Sequence, residues 1–181
     1  MFKLKAIAAA ATIVCSFSAL HAQEEYPKPG PEHDLLKQMT GEWDAKMTCN
    51  FPGTEGAIET TGSYNAKMDV GGFFLIGDFK SEFFGQPFKG HSITGYNQFE
   101  KKYTGVWVDS MGPFLYNTTA EFSKDGKTYT EKMNGPGPDG KPINFRSVIE
   151  IKDDDHMQMT MYMIGEDDKE SQMMKIDYTR K

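Results

Sequence analysis

Cysteine is scarce in this chain of 181 residues: there are two, Cys15 and Cys49. Cys15 falls in an N-terminal apolar run that reads as a removable leader. A processed chain would keep Cys49 alone, so no intrachain disulfide can form, and stability has to come from a buried core. Clustered basic residues are also missing. With 20 Lys and Arg against 26 Asp and Glu and a formal net charge of −6, the chain is not built for nucleic acid. The histidines outside the leader, His33, His91 and His156, are scattered. No His-Glu-x-x-His or Cys-x-x-Cys run exists, which argues against a zinc site. There is no Gly-x-Ser-x-Gly elbow for a nucleophile. No glycine pattern follows a strand and opens a helix to cradle phosphate. Beyond the leader, no apolar stretch is long enough to span a bilayer.

The leader itself is well marked. Lys3 and Lys5 precede an apolar run from Ala6 to Phe17 that is too short for a membrane span. Leu20-His21-Ala22 before Gln23 offers small residues for cleavage. Cys15, between Val14 and Ser16, does not resemble a lipoprotein cleavage box. The expectation is a signal peptide over 1–22, an extended lead-in over 23–30, and one domain over 31–181 exported in soluble form to the periplasm or outside. About 160 residues remain, the size of a single domain. A retained anchor helix is the alternative.

Pro31 is a good first helical residue, Glu32 and Asp34 favour a helix N-terminus, and Leu35, Leu36 and Met39 make one apolar face. The pattern predicts a short helix over Pro31–Met39, stopped by Gly41. From Trp43 onward the period changes to two. Trp43, Ala45, Met47 and Cys49 share one face, and Asp44, Lys46, Thr48 and Asn50 the other. Similar runs over 58–68, 73–82, 89–97, 102–110, 114–123, 127–133, 142–152, 156–164 and 170–180 give about ten strands. Sequential strands with short turns predict an antiparallel up-and-down meander, and closure into a barrel removes its edges.

Alternate connections differ in kind. Those over 51–57, 83–88, 110–113 and 134–141 are long and rich in Gly and Pro. Those at 70–72, 124–126 and 153–155 are tight, with 97–101 the longest of that set. In a meander, alternate connections share an end. The long loops therefore surround a mouth, and the tight turns lie with Trp43 at a closed end. An even strand count returns Arg180 to Trp43, where the indole can receive the guanidinium face.

Gly41-x-Trp43 after a short helix, with Arg180 near the chain end, resembles the lipocalin and calycin barrels, in which a first-strand Trp is covered by a basic side chain. More of the chain resembles the bacterial domain-of-unknown-function family 1579. The matching stretches run from His33 to Trp43, Val70-Gly71-Gly72-Phe73-Phe74, Gly90 with Gly95-Tyr96-Asn97, Trp107 to Met111, and Tyr178-Thr179-Arg180. The resemblance covers about residues 31 to 180. It implies a lipocalin-like fold and no activity.

Within that all-β barrel, Tyr64, Phe79, Trp107, Tyr116 and Met161 are expected to line a pocket, with Asp109 as the polar group that orients a ligand. Asp109 shares a face with Trp107. Buried without a donor its pKa would rise; as a loop cap near 111–113 it would accept backbone hydrogen bonds instead. Both readings stand. Met157, Met159, Met161 and Met163 alternate onto one face, with Met173 and Met174 on the next strand. Copper(I) binding is the sharper reading. An adaptable lining is the simpler one, and polar His156, Gln158 and Thr160 on the opposite face favour it. Haem would need an inward His, for which His91 alone qualifies. Asp153-Asp154-Asp155 and Glu166-Asp167-Asp168 lack the ligand spacing of a calcium loop. Phe83, Phe84 and Phe88 are expected in one mouth loop, as a greasy lip or a lid. No metal or cofactor is expected.

The function expected first is binding of a small apolar or amphipathic molecule. Second is an interaction protein with a filled barrel. Third is an enzyme with Asp109 as base and Tyr64 or Tyr116 as donor, a reading that lacks a second catalytic group at a telling spacing. The partner is then a small molecule, with no nucleic acid and no membrane insertion.

Overall fold

The computed structural model describes residues 26–51, 53–137 and 139–181. The expected signal peptide lies outside them. A helix, α1 (Pro31–Lys37), is followed by ten strands: β1 (Gly41–Cys49), β2 (Ile58–Asp69), β3 (Phe74–Phe83), β4 (Gln86–Asn97), β5 (Lys102–Asp109), β6 (Tyr116–Phe122), β7 (Thr128–Pro136), β8 (Pro142–Ile151), β9 (His156–Ile164) and β10 (Glu170–Arg180). Each strand pairs antiparallel with its neighbours in sequence, and β1 pairs with β10, so the sheet closes on itself. Closure leaves no unpaired edge.

α1 ends two residues earlier than its apolar pattern predicts. Met39 N–H donates to the Leu36 carbonyl and Thr40 N–H to that of Lys37, a tightening that is common in a last turn. Leu36 is fully buried and Met39 nearly so. The helix is too short to stand alone and is pinned by the barrel. The Tyr103 hydroxyl donates to the Glu32 carbonyl at 2.9 Å, and His33, buried, lies edge-on to Phe73 with ring centroids 5.4 Å apart.

The inward positions of β1 are sealed along its whole length: Trp43, Ala45, Met47 and Cys49 are at most 1% exposed. Burying side chains of the size of Met47 or Leu36 contributes about 1.5–3 kcal/mol each. Trp43 plugs the helix end of the barrel, and its Nε1–H donates to the Met39 carbonyl at 3.3 Å. Arg180 covers the indole with its guanidinium carbon 4.0 Å from the ring centroid. Its Nε donates to the Asp154 carbonyl at 2.6 Å and its Nη1 to the Thr40 carbonyl at 2.6 Å. Gly41 makes room for this arrangement. Its φ is +120°, and a Cβ there would fall inside the guanidinium.

The connections at the other end differ from expectation in one place. The 83–88 segment is not a long loop. Phe83 pairs with Gln86, and the chain reverses on Phe84-Gly85, both with positive φ, the backbone of a type I′ hairpin. Phe83 and Phe88 are therefore strand residues turned inward, half-buried with ring centroids 5.1 Å apart, and only Phe84 is exposed at the turn. Phe51, from the β1–β2 loop, packs edge-on against Phe83. These rings cover one side of the mouth as part of its wall.

Candidate functional site

Alternation along each strand sorts the side chains into an outer and an inner set, and the ladder registers bring the inner set together. On β5, Tyr103 at the closed end is buried, whereas Trp107 and Asp109 toward the mouth are only half-buried. β9 behaves in the same way: Met157 is buried and Met159, Met161 and Met163 are half-buried. The methionine stripe faces inward, with Met159 packed against the core cluster.

Trp107 pairs with Tyr116 across β5 and β6, and Gly90 lies beside Asp109 and Phe79 in the adjoining ladders. The indole lies flat against Gly90, where any Cβ would fall inside the ring. Tyr116 lies on Gly135 and Tyr64 on Gly77 in the same manner. These rings are held against the wall by the missing side chains of the three glycines. Phe79 is buried and closes the wall behind Trp107. Tyr64 sits deeper, in register with Trp43, and burial pushes its phenol up to about 12 against a hydrogen bond from Ser92. Met161 lies on the far wall, paired with Ser147 and Met174. The structure thus brings Phe79, Trp107, Asp109 and Tyr116 together, with Tyr64 below them and Met161 opposite.

Asp109 points inward and is already engaged. Its Oδ2 accepts from Trp107 Nε1–H at 2.8 Å and its Oδ1 from Met111 N–H at 2.8 Å. It anchors the indole and caps the β5–β6 loop. Its charge adds to burial in raising the Tyr116 phenol.

A second inward carboxylate has no such partners. Glu131 stands on β7 between Tyr129 and Met133, both buried and facing in. Burial raises its pKa from 4.5 to about 7, against a hydrogen bond donated by the Thr118 hydroxyl. Alternation could have found it, since Tyr129, Glu131 and Met133 share a face opposite Thr130, Lys132 and Asn134. Tyr129 is also driven well above the phenol range by burial first and by the Glu131 charge second.

The outer wall takes His91, the one histidine considered as an inward haem ligand, and Arg146. His91 lies outside with Nδ1 2.5 Å from Asp78 Oδ1. Arg146 lies outside in a two-point pair with Glu170, stacked 4.5 Å from the centroid of the Tyr162 ring. Among the described residues no three His, Cys, Asp or Glu side chains converge as a metal site, and no helix is long and apolar enough to cross a membrane. At the rim, a recess of about 320 Å³ opens between the β1–β2 loop and the β9–β10 hairpin, lined by Phe51, Thr54, Met163 and Met173 among others. A bulge between Gln172 and Met174 on β10 shapes it.

The closed ten-stranded meander, with its helix-capped Trp and its lined interior, is a lipocalin-like barrel. The chain belongs to the family described as proteins of unknown function DUF1579, whose profile matches residues 28–180. No curated protein sequence matches it. Among solved structures, Rv2717c from M. tuberculosis is similar at 14% identity and a TM-score of 0.65, over 84% of this chain and 98% of that one. The S-type phycobiliprotein lyase CPES from Guillardia theta is similar at 10% identity and a TM-score of 0.55, over 83% of this chain and 92% of that one. At these identities the likeness is one of fold.

Proposed function

We propose that this chain is an exported binding module that holds one small apolar or amphipathic molecule inside its barrel, without turning it over. Incomplete burial of inward side chains on β5, β7 and β9 supports this most directly. Trp107, Glu131 and Met161 face inward yet are only half-buried, whereas the inward side chains of β1 are sealed. Trp107, Tyr116 and Met161 would supply an apolar lining of the kind small-molecule sites use. A similar barrel serves as a phycobiliprotein lyase, so the fold is compatible with a small-molecule role. The commitment of both Asp109 oxygens to Trp107 and Met111 counts against that carboxylate as a free base.

Native mass spectrometry of the protein purified from its own host tests the reading. A co-purifying small mass, lost on denaturation, is the expected result. A chain carrying no added mass, and whose Trp107 fluorescence answers to no apolar probe, would instead support a filled barrel. Turnover of a substrate panel that Asp109→Asn abolishes would replace binding by catalysis. Export rests on Lys3, Lys5 and the apolar run that follows. N-terminal sequencing of periplasmic or secreted material should begin at Gln23, and an intact Met1 on membrane-bound protein would refute it.

A further inference from the structure

The two carboxylates of the inner wall are not equivalent. Asp109 is satisfied by neighbouring N–H groups. Glu131 has the Thr118 hydroxyl, and no cationic side chain offsets its charge. Its ladder neighbours are Ala120 on β6 and Ser147 on β8, neither of which can supply one. Among the described residues, the inward positions of the ten strands carry one basic side chain, Arg180. That guanidinium is held at the closed end by Trp43 and by the Thr40 and Asp154 carbonyls. The interior is therefore ringed by aromatic faces, with the hydroxyls of Thr94, Thr118 and Ser147 buried among them, and carries a carboxylate with no counter-charge.

We infer that the ligand of this barrel is an apolar body bearing one cationic nitrogen head, an amine or an amidine, and that Glu131 is the group that receives the head. The inference rests on the reading of the barrel as a ligand-binding cavity. A carboxylate in apolar surroundings is costly to ionise unless a cation pairs with it. An entering ammonium supplies that cation and makes a charge-assisted hydrogen bond. The body would then run toward the mouth along Trp107, Tyr116 and Met161. Ring faces laid flat on the wall favour a cation over a neutral or anionic head as it passes.

Glu131 is the inner-wall carboxylate that burial raises toward neutrality. Burial pushes Tyr64 on β2, Tyr103 on β5, Tyr129 on β7 and Tyr178 on β10 upward, so their phenols stay neutral. Tyr116 on β6 is raised as well. Asp109 on β5 is the remaining inward carboxylate. Thr118 and Ser147 flank Glu131 and do not titrate. With Glu131 at about 7 in the empty barrel, amine binding should strengthen as pH rises from 6 to 8, and at pH 6.5 it should release a proton from the carboxyl group.

Decylamine, decanol and decanoate share one chain and differ in head charge, so they isolate the head. Calorimetry on the processed chain at pH 8 should show decylamine binding at least about ten-fold more tightly than decanol, with decanoate weakest. Glu131→Gln should bring decylamine within about two-fold of decanol, with circular dichroism checking that the variant is folded. Proton release by the unaltered chain at pH 6.5, read from titrations in buffers of different ionisation enthalpy, does not depend on that variant folding. Equal affinity for decylamine and decanol without proton release would overturn the inference while leaving the cavity reading intact. Binding of none of the three would overturn the cavity reading and this inference with it.

Discussion

The barrel holds one tryptophan toward each end, and it uses them in opposite ways. Trp43 is 1% exposed, its N–H is spent on a backbone carbonyl, and its face is covered by Arg180. Trp107 is half-buried, its N–H is spent on Asp109, and its face is left toward the lumen because Gly90 lets the ring lie against the wall. Both indoles satisfy their one donor, as buried indoles do. The difference is in what covers the ring. At the closed end a cation and a helix press onto it, and the packing is solid. Toward the mouth the missing side chain of Gly90 lets the ring lie against the wall. One fold thus joins a sealed end to an end whose inward side chains are only half-buried.

The largest break in this comparison should come from the plug. Trp43→Ala is expected to lower stability by about 3–5 kcal/mol, the usual cost of truncating a buried ring, whereas Trp107→Ala should cost about half as much or less. Urea denaturation of the two variants checks it. Equal losses would mean that the mouth half is packed as tightly as the closed end. Arg180→Ala should reproduce part of the Trp43 loss. Lys should replace Arg180 poorly, for want of a planar face. A double-mutant cycle with Trp43→Phe should return a coupling of about 0.5–2 kcal/mol.

The closed end was legible in the sequence because it depends on counting. Ten period-two runs return the chain to its start, and Gly41-x-Trp43 and Arg180 then face each other whatever the loops do. The inner face was legible for the same reason, and Trp107, Tyr116 and Met161 follow from alternation. Three things were not legible. The Phe84 turn was hidden because a non-glycine residue adopts positive φ there beside Gly85, so the aromatic run read as a loop. Glu131 was hidden because a charged residue within a strand ordinarily marks the solvent side. Only its place between Tyr129 and Met133 contradicts that rule. The Gly90–Trp107 contact depends on cross-strand register, which is set by turn geometry rather than by either residue's local pattern.

A somewhat smaller effect should come from Glu131, and it depends on pH. Its folded pKa is raised from 4.5 to about 7. The stability tied to the neutral carboxyl is therefore fully present below 4.5 and is lost as pH rises through about 7. At 1.36 kcal/mol per unit, that is a loss of about 3 kcal/mol by pH 8. Glu131→Gln should remove this slope, matching the unaltered chain near pH 4 and exceeding it near pH 8. Parallel urea curves at the two pH values would show it, and an unchanged slope would place Glu131 in contact with bulk water. Gly90→Ala comes next, at about 1–3 kcal/mol for a methyl forced into an occupied site. It should also move the Trp107 emission, in a Trp43→Phe background, as the indole leaves the wall. Emission that stays fixed would mean that the ring does not lie on Gly90.

The smallest effect on the fold should come from the one thiol of the described chain, and it sharpens the comparison the most. Cys49 ends β1 at the mouth end of the barrel, yet it is fully buried between Ile58 and Met174 in the ladders. Burial first, and the Glu59 charge second, push its pKa from 9.0 to about 11, so at pH 8 it is almost entirely the unreactive thiol. If openness followed height alone, Cys49 would be as accessible as Trp107. The structure instead seals the β1 side along its whole length and opens the side of β5 and β9. Cys49→Ala should therefore change stability by about 1 kcal/mol or less, and the native thiol should react with a thiol reagent only as fast as the protein unfolds. In that Cys49→Ala background, Met161→Cys places a thiol at a half-buried lumen position, and it should react in the folded state, more slowly when a ligand occupies the barrel. Fast labelling of Cys49 would show the breach on the β1 side, and equal protection of both thiols would show a barrel closed throughout.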